Sequence, residues 1–177
     1  MGHCTILQFL NEHVSDPGDL RLMTYEGMLD STFIGDIADY IGESDREEDL
    51  SDFLDYVITE LGVNADESRK YITCRYGKED GNPKTLPGAL LTFRPGFKEA
   101  FFARRFEEFK KRSEDSKLVN FLDTMFIYSL RQCMESTHGI YIADENLEYQ
   151  TFDEFVRRLD PGRDTDYWLG STLDYHM

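Results

Sequence analysis

The residues able to do chemistry in this 177-residue chain are few. Three cysteines (Cys4, Cys74, Cys133) and four histidines (His3, His13, His138, His176) are its only thiols and imidazoles. No G-x-S-x-G elbow is present. Cys133 and His138 stand five positions apart across an expected helix end, which does not set a thiolate beside its base. A zinc site would need paired C-x-x-C or H-x-x-x-H spacing, and neither occurs. Gly77-Lys78-Glu79-Asp80-Gly81 lacks the glycine–lysine–hydroxyl order of a phosphate-cradling loop. The cysteines therefore read as reduced, mostly buried small hydrophobes of a cytosolic chain. No catalytic residue, metal ligand or cofactor is assigned.

Carboxylates are what the chain has in excess: 35 Asp and Glu against 19 Lys and Arg, a formal net charge of -16. Pairs such as Asp36/Asp39, Asp45/Asp49 and Asp52/Asp55 invite a hard cation. However, no D-x-[DN]-x-[DN]-G loop is present, and carboxylates on one continuous helix converge poorly on an ion. The excess is also unevenly placed. Residues 1–67 hold 17 acidic side chains and two basic ones, Arg21 and Arg46. Residues 68–140 carry 14 basic and nine acidic, and residues 141–177 carry three basic and nine acidic. So concentrated a field repels phosphate, which argues against direct nucleic-acid binding, and it steers a basic partner instead.

The clearest element in the sequence positions those charges. Ser44 and Glu47 have the spacing of a capping box, and Gly62 stands where a left-handed C-terminal residue belongs. Between them Leu50, Phe53, Leu54, Val57, Ile58 and Leu61 form one apolar stripe at helical spacing. Glu48, Asp52, Asp55 and Thr59 then fall in a row on another face, with Asp45 and Asp49 beside it. Asp36, Asp39 and Glu43 are expected to extend the row from the preceding helix. Carboxylates recurring every turn lie roughly 5 Å apart along the axis, a spacing that resembles a phosphodiester backbone. Such a row suits a basic groove made for nucleic acid. Tyr40 and Tyr56, expected exposed, add aromatic anchors.

Around that helix the pattern predicts an α+β chain of five or six helices with a small, mostly antiparallel sheet. Helices are expected over 5–14, 32–41, 97–112, 115–136 and 151–159, the last opened by a Thr151/Glu154 capping box. The helix over 115–136 reads as central because its apolar face is broad. Strands are expected over 20–25, 71–76 and 89–93, with a hairpin of 140–143 and 147–149. Phe97, Phe101, Phe102, Phe106 and Phe109 follow helical periodicity and read as core, whereas Arg104, Arg105, Lys110 and Lys111 read as a solvated face or as internal partners of the acidic third. One domain is expected over 1–177. A soft edge at 62–70 separates an acidic helical part (1–61) from an α+β part (71–177). The tail from Asp164 to Tyr175, rich in aromatic and acidic residues, is a second candidate contact surface. No apolar run is long enough to span a membrane, and the N-terminus lacks the charged and apolar regions of a signal peptide. The expected location is the cytoplasm of a bacterial host.

A strongly acidic, aromatic-rich, small α+β chain without a catalytic motif resembles the anti-defence proteins of phages and mobile elements, the anti-CRISPR and antirestriction group. That resemblance implies a non-enzymatic inhibitor and nucleic-acid mimic. Its partner would be a basic nucleic-acid-binding protein, a Cas effector or a restriction enzyme. The residues here that would meet it are Asp36, Asp39, Asp45, Glu48, Asp49, Asp52, Asp55 and Tyr56. The competing expectation is a regulatory protein–protein interaction module of a mobile element, its acidity serving solubility and its contact made by the C-terminal aromatics.

Overall fold

A computed structural model of the chain describes residues 3–11, 40–76, 88–115, 123–134 and 139–176. Among them, seven strands and five helices occur in the order β1 (His3–Leu10), β2 (Tyr40–Glu43), α1 (Arg46–Leu61), α2 (Ala65–Ser68), β3 (Ile72–Tyr76), β4 (Ala89–Phe93), α3 (Phe97–Ser113), α4 (Asp123–Met134), β5 (Gly139–Ala143), β6 (Tyr149–Thr151), α5 (Phe152–Arg158) and β7 (Thr165–His176). The strands form one sheet ordered β3-β4-β7-β1-β5-β6, with β2 pairing β7 off that path. Only β1 and β5 run parallel; every other pair is antiparallel. The class is α+β and the sheet mostly antiparallel, but seven strands make it larger than the sequence suggests.

The first correction is at β1. Ile6, Leu7 and Leu10 fit helical spacing, yet residues 3–10 are a strand in the middle of the sheet. A central strand buried on both faces reads as a nearly continuous apolar run, which periodicity does not separate from a buried helix. Here Leu7 and Phe9 enter the core beneath the helices, whereas Cys4 and Ile6 enter a second cluster on the opposite face. The expected strand over 20–25 and most of the expected helix over 32–41 lie outside the described residues. Where the latter is described, Tyr40 and Ile41 belong to β2.

The C-terminal tail is the second correction. It is not a free surface but β7, the longest strand, lying between β4 and β1. Four of its apolar residues, Tyr167, Leu169, Leu173 and Tyr175, fall at odd positions. Even so, the first two join the core under the helices and the last two the opposite cluster. The reason is a bulge: Leu7 pairs Thr172 but Phe9 pairs Leu169, so two residues of β7, Gly170 and Ser171, stand opposite Gln8 alone. One extra residue turns every later side chain to the other face. The buried Gln8 holds the bulge, its Oε1 accepting from the Ser171 N–H at 3.2 Å.

The helices cover one face. Phe9 has its ring centroid 5.2–6.1 Å from those of Phe53, Phe93, Phe155 and Tyr167, joining α1, α5 and two strands in one aromatic core. Residues from both sides of the 62–70 stretch enter this core, and that stretch holds the short helix α2. The expected strands 71–76 and 89–93 form and pair as β3 and β4; the hairpin forms as β5 and β6, but its second strand is Tyr149–Thr151 rather than 147–149. α5 opens with the expected Thr151/Glu154 capping box. The helix expected over 115–136 and expected to be central is described only over 123–134. It packs on α3 at the periphery, with Met125, Ile127 and Tyr128 exposed.

Candidate functional site

The N-terminus of α1 is set by an interruption in the sheet. β7 pairs β4 over residues 165–168 and β2 over 173–176 on the same edge, leaving the stretch between them without a strand partner there. The entry to α1 fills that place: Ser44 Oγ lies 3.1 Å from Thr172 Oγ1, and Arg46 Nη1 donates to the Gly170 carbonyl at 3.4 Å. Ser44 is thereby drawn away from the capping role expected of it. Asp45 caps the helix instead, accepting from the backbone N–H of Glu47 and Glu48. A carboxylate at that point also meets the positive end of the helix dipole. Gly62 ends α1 in the left-handed conformation, with φ of 68°.

The apolar stripe packs as its spacing requires. Leu50, Phe53, Val57 and Leu61 are buried, and Leu54 and Ile58 half-buried. The outward row is likewise present, with Glu48, Asp52, Asp55 and Thr59 all exposed. Glu48 and Asp52 line two clefts and so form a ridge between them. One cleft, of about 410 Å³, has Thr5, Leu7, Gly139 and Ile140 on its far wall. The other, of about 500 Å³, has Asp45, Glu47 and Tyr76.

Not every expected residue joins the row. Asp49 is half-buried and turned toward the sheet. Burial raises its pKa, and the negative charges of Asp174 and Asp52 add to that; the hydroxyls of Ser44 and Thr172 work the other way. Tyr56 is a correction, since it is buried, and its hydroxyl accepts from Arg105 Nη2 at 3.3 Å. It lies one position before Val57 on the flank of the apolar stripe, and the broad contact of α1 with α3 covers it. Asp36 and Asp39 lie outside the described residues. Tyr40 lies on β2. In place of Tyr56 the exposed aromatic beside the acidic ridge is Tyr76, at the end of β3, which the sequence does not single out. Burial and the charges of Cys74 and Glu47 raise its phenol pKa.

The far end of α1 is tied down by cations. No basic residue occupies its last turn, and Arg104 of α3 supplies one: Nη1 donates to the Thr59 carbonyl at 3.1 Å. Arg105 goes inside. It donates to Glu60 Oε2 at 2.9 and 2.7 Å and to Asp153 Oδ2 at 2.6 Å, and its guanidinium lies 4.9 Å from the Phe101 ring centroid. Burial opposes the charge on Arg105, and the two carboxylates outweigh it, so its pKa is raised. Of the basic residues on α3, Arg104 and Arg105 thus pair with Glu60 of the acidic first third, whereas Lys110 belongs to the solvated face.

Among the described residues, no three His, Cys, Asp or Glu side chains are grouped so as to hold a metal ion. All three cysteines are free thiols. Cys4 and Cys133 are buried, and burial pushes Cys74 up to about 11, away from the thiolate that nucleophilic chemistry needs. Among the described residues, no helix is long and apolar enough to cross a membrane. What the arrangement offers is a rigid acidic ridge, capped at one end and clamped at the other. In comparisons with known proteins, no family, no curated protein and no solved structure matches the chain.

Proposed function

We propose that the chain is a non-enzymatic inhibitor that binds a nucleic-acid-handling defence protein, a CRISPR effector or a restriction enzyme, and occupies its basic nucleic-acid channel with α1. The observation that supports this reading is the exposed row Glu48, Asp52 and Asp55 on a helix whose two ends are held by other elements. Like-charged neighbours at this spacing weaken a helix by a few tenths of a kcal/mol per pair, so the row stands against local stability. A preorganised row needs little ordering on binding, and its field speeds encounter with a basic surface. Asp45 and Glu47 continue the negative surface toward Tyr76, the aromatic group placed to pack against the partner.

The test is DNA cleavage by purified CRISPR effectors and restriction nucleases with the chain added in excess. At least one enzyme is expected to be inhibited in competition with its DNA, and the inhibition to weaken as salt rises. Glu48→Lys/Asp52→Lys/Asp55→Lys should bind that enzyme more than about tenfold more weakly with its fold intact. Binding unchanged in the triple variant, or indifferent to salt, rules the proposal out.

A further inference from the structure

Five of the six large apolar side chains that stay exposed among the described residues lie on α3 and α4: Phe106, Phe109, Met125, Ile127 and Tyr128. Phe106 is 57 % exposed although it stands in a helix whose other phenylalanines are mostly core. It belongs to a stripe of four exposed residues on α3, Glu99, Ala103, Phe106 and Lys110. Their spacing of i, i+4, i+7 and i+11 puts them on one face. Neither the Glu99 nor the Lys110 side chain has an ion-pair or hydrogen-bond partner among the described residues. α1 meets α3 through Arg104 and Arg105 rather than through this stripe.

The stripe is complementary to itself. Turned end for end about its midpoint, Glu99 stands opposite Lys110 and Ala103 opposite Phe106, so a cation meets an anion and a large ring meets a small residue. A twofold interface requires this kind of self-match, because each contact is made twice. Charge also favours this face over that of α1. The described residues of the α3–α4 hairpin, 97–115 and 123–134, carry seven basic and six acidic side chains, whereas α1 carries six acidic and one basic. Two copies of a chain with net charge -16 repel least where the local charge is balanced.

We propose that α3 packs antiparallel on α3 of a second copy of this chain, with Glu99 paired to Lys110 and Phe106 seated on Ala103 across the twofold axis. α4, which packs on α3, brings three further exposed apolar side chains to the same hairpin. The dimer leaves the Glu48–Asp52–Asp55 row of each copy free, so the particle presents two acidic ridges.

Sedimentation equilibrium of the full chain at physiological salt, over a concentration series, tests this independently of any defence enzyme. The mass is expected to rise from 20.7 kDa toward twice that value. Phe106→Asp should hold the chain monomeric. Glu99→Lys and Lys110→Glu should each weaken association about tenfold, and the two together should recover most of the loss, because the pair is then reversed in both copies. Circular dichroism and Tm keep folding apart from association, since these side chains are exposed. A chain that stays monomeric, a dimer indifferent to Phe106→Asp, or a double variant as weak as the single ones overturns the proposal. So does a monomer whose Phe106 is protected from hydroxyl-radical oxidation, which would show the chain covering its own stripe.

Discussion

Two side chains show how single residues set the balance in this molecule. Arg105 is a buried cation shared by Glu60 of α1 and Asp153 of α5, and its removal takes the counter-charge from Asp153 and leaves Glu60 only the more exposed Arg104, 3.8 Å away. Arg105→Met should lower the unfolding free energy by about 3–5 kcal/mol, read by chemical denaturation. A variant that also replaces Glu60 and Asp153 by apolar residues of similar size should recover most of that loss, since the damage lies in the unpaired charges and not in the missing bridge. Asp49 works in the opposite sense. Its carboxylate is disfavoured in the fold, so the folded chain takes up a proton at a higher pH than the unfolded chain does. At neutral pH the ionised group therefore opposes folding, and the penalty fades as the pH falls through the raised pKa. Asp49→Asn should raise Tm at pH 7. In scans at successively lower pH the gain should shrink, vanishing once the carboxyl is protonated in the unfolded chain too.

At the scale of elements, β7 and α1 depend on each other. The bulge at Gly170–Ser171 opens the place that the entry to α1 occupies, and Gln8 packs against the same point. A methyl group on Gly170 would lie 2.3 Å from Gln8 Oε1 and 3.1 Å from its Cβ, inside a fully buried neighbourhood. Gly170→Ala should therefore destabilise the chain by about 1–3 kcal/mol. It should also loosen the α1 N-terminus, which amide hydrogen exchange at residues 46–50 would show; unchanged exchange there would separate the bulge from the helix. Much of the element pattern was legible in the sequence. α1 was legible from its stripe and its terminal glycine, α5 from its capping box, and β3 and β4 as short runs broken by the glycine- and proline-containing stretches that follow them. β1 and β7 were not, because one is buried on both faces and the other changes face midway, and each departure removes the alternation that betrays a strand.

Across the whole molecule the decisive quantity is charge. A net of -16 on 177 residues repels itself, and the repulsion is strongest around α1. Raising salt from about 0.01 to 0.15 M shortens the Debye length from about 30 to 8 Å, so Tm should rise over that interval. Calorimetry showing no rise would mean that self-repulsion does not limit the stability of the fold. The same salt range should weaken partner binding by the acidic ridge, so stability and affinity are expected to move in opposite directions.

The uneven charge, the amphipathic helix α1 and the exposed row Glu48, Asp52 and Asp55 follow from the order of residues alone. All three are local, since a periodic stripe buries itself and whatever stands opposite is left in water. That Tyr56 is buried on Arg105, that Tyr76 stands beside the acidic ridge, that Asp49 turns inward and that the aromatic tail is a central strand emerge only from the folded chain. Each of these depends on contacts between residues far apart in the chain, such as Tyr56 with Arg105, Ser44 with Thr172 and Gln8 with Ser171. Periodicity within one segment carries no information about which distant segment will cover it.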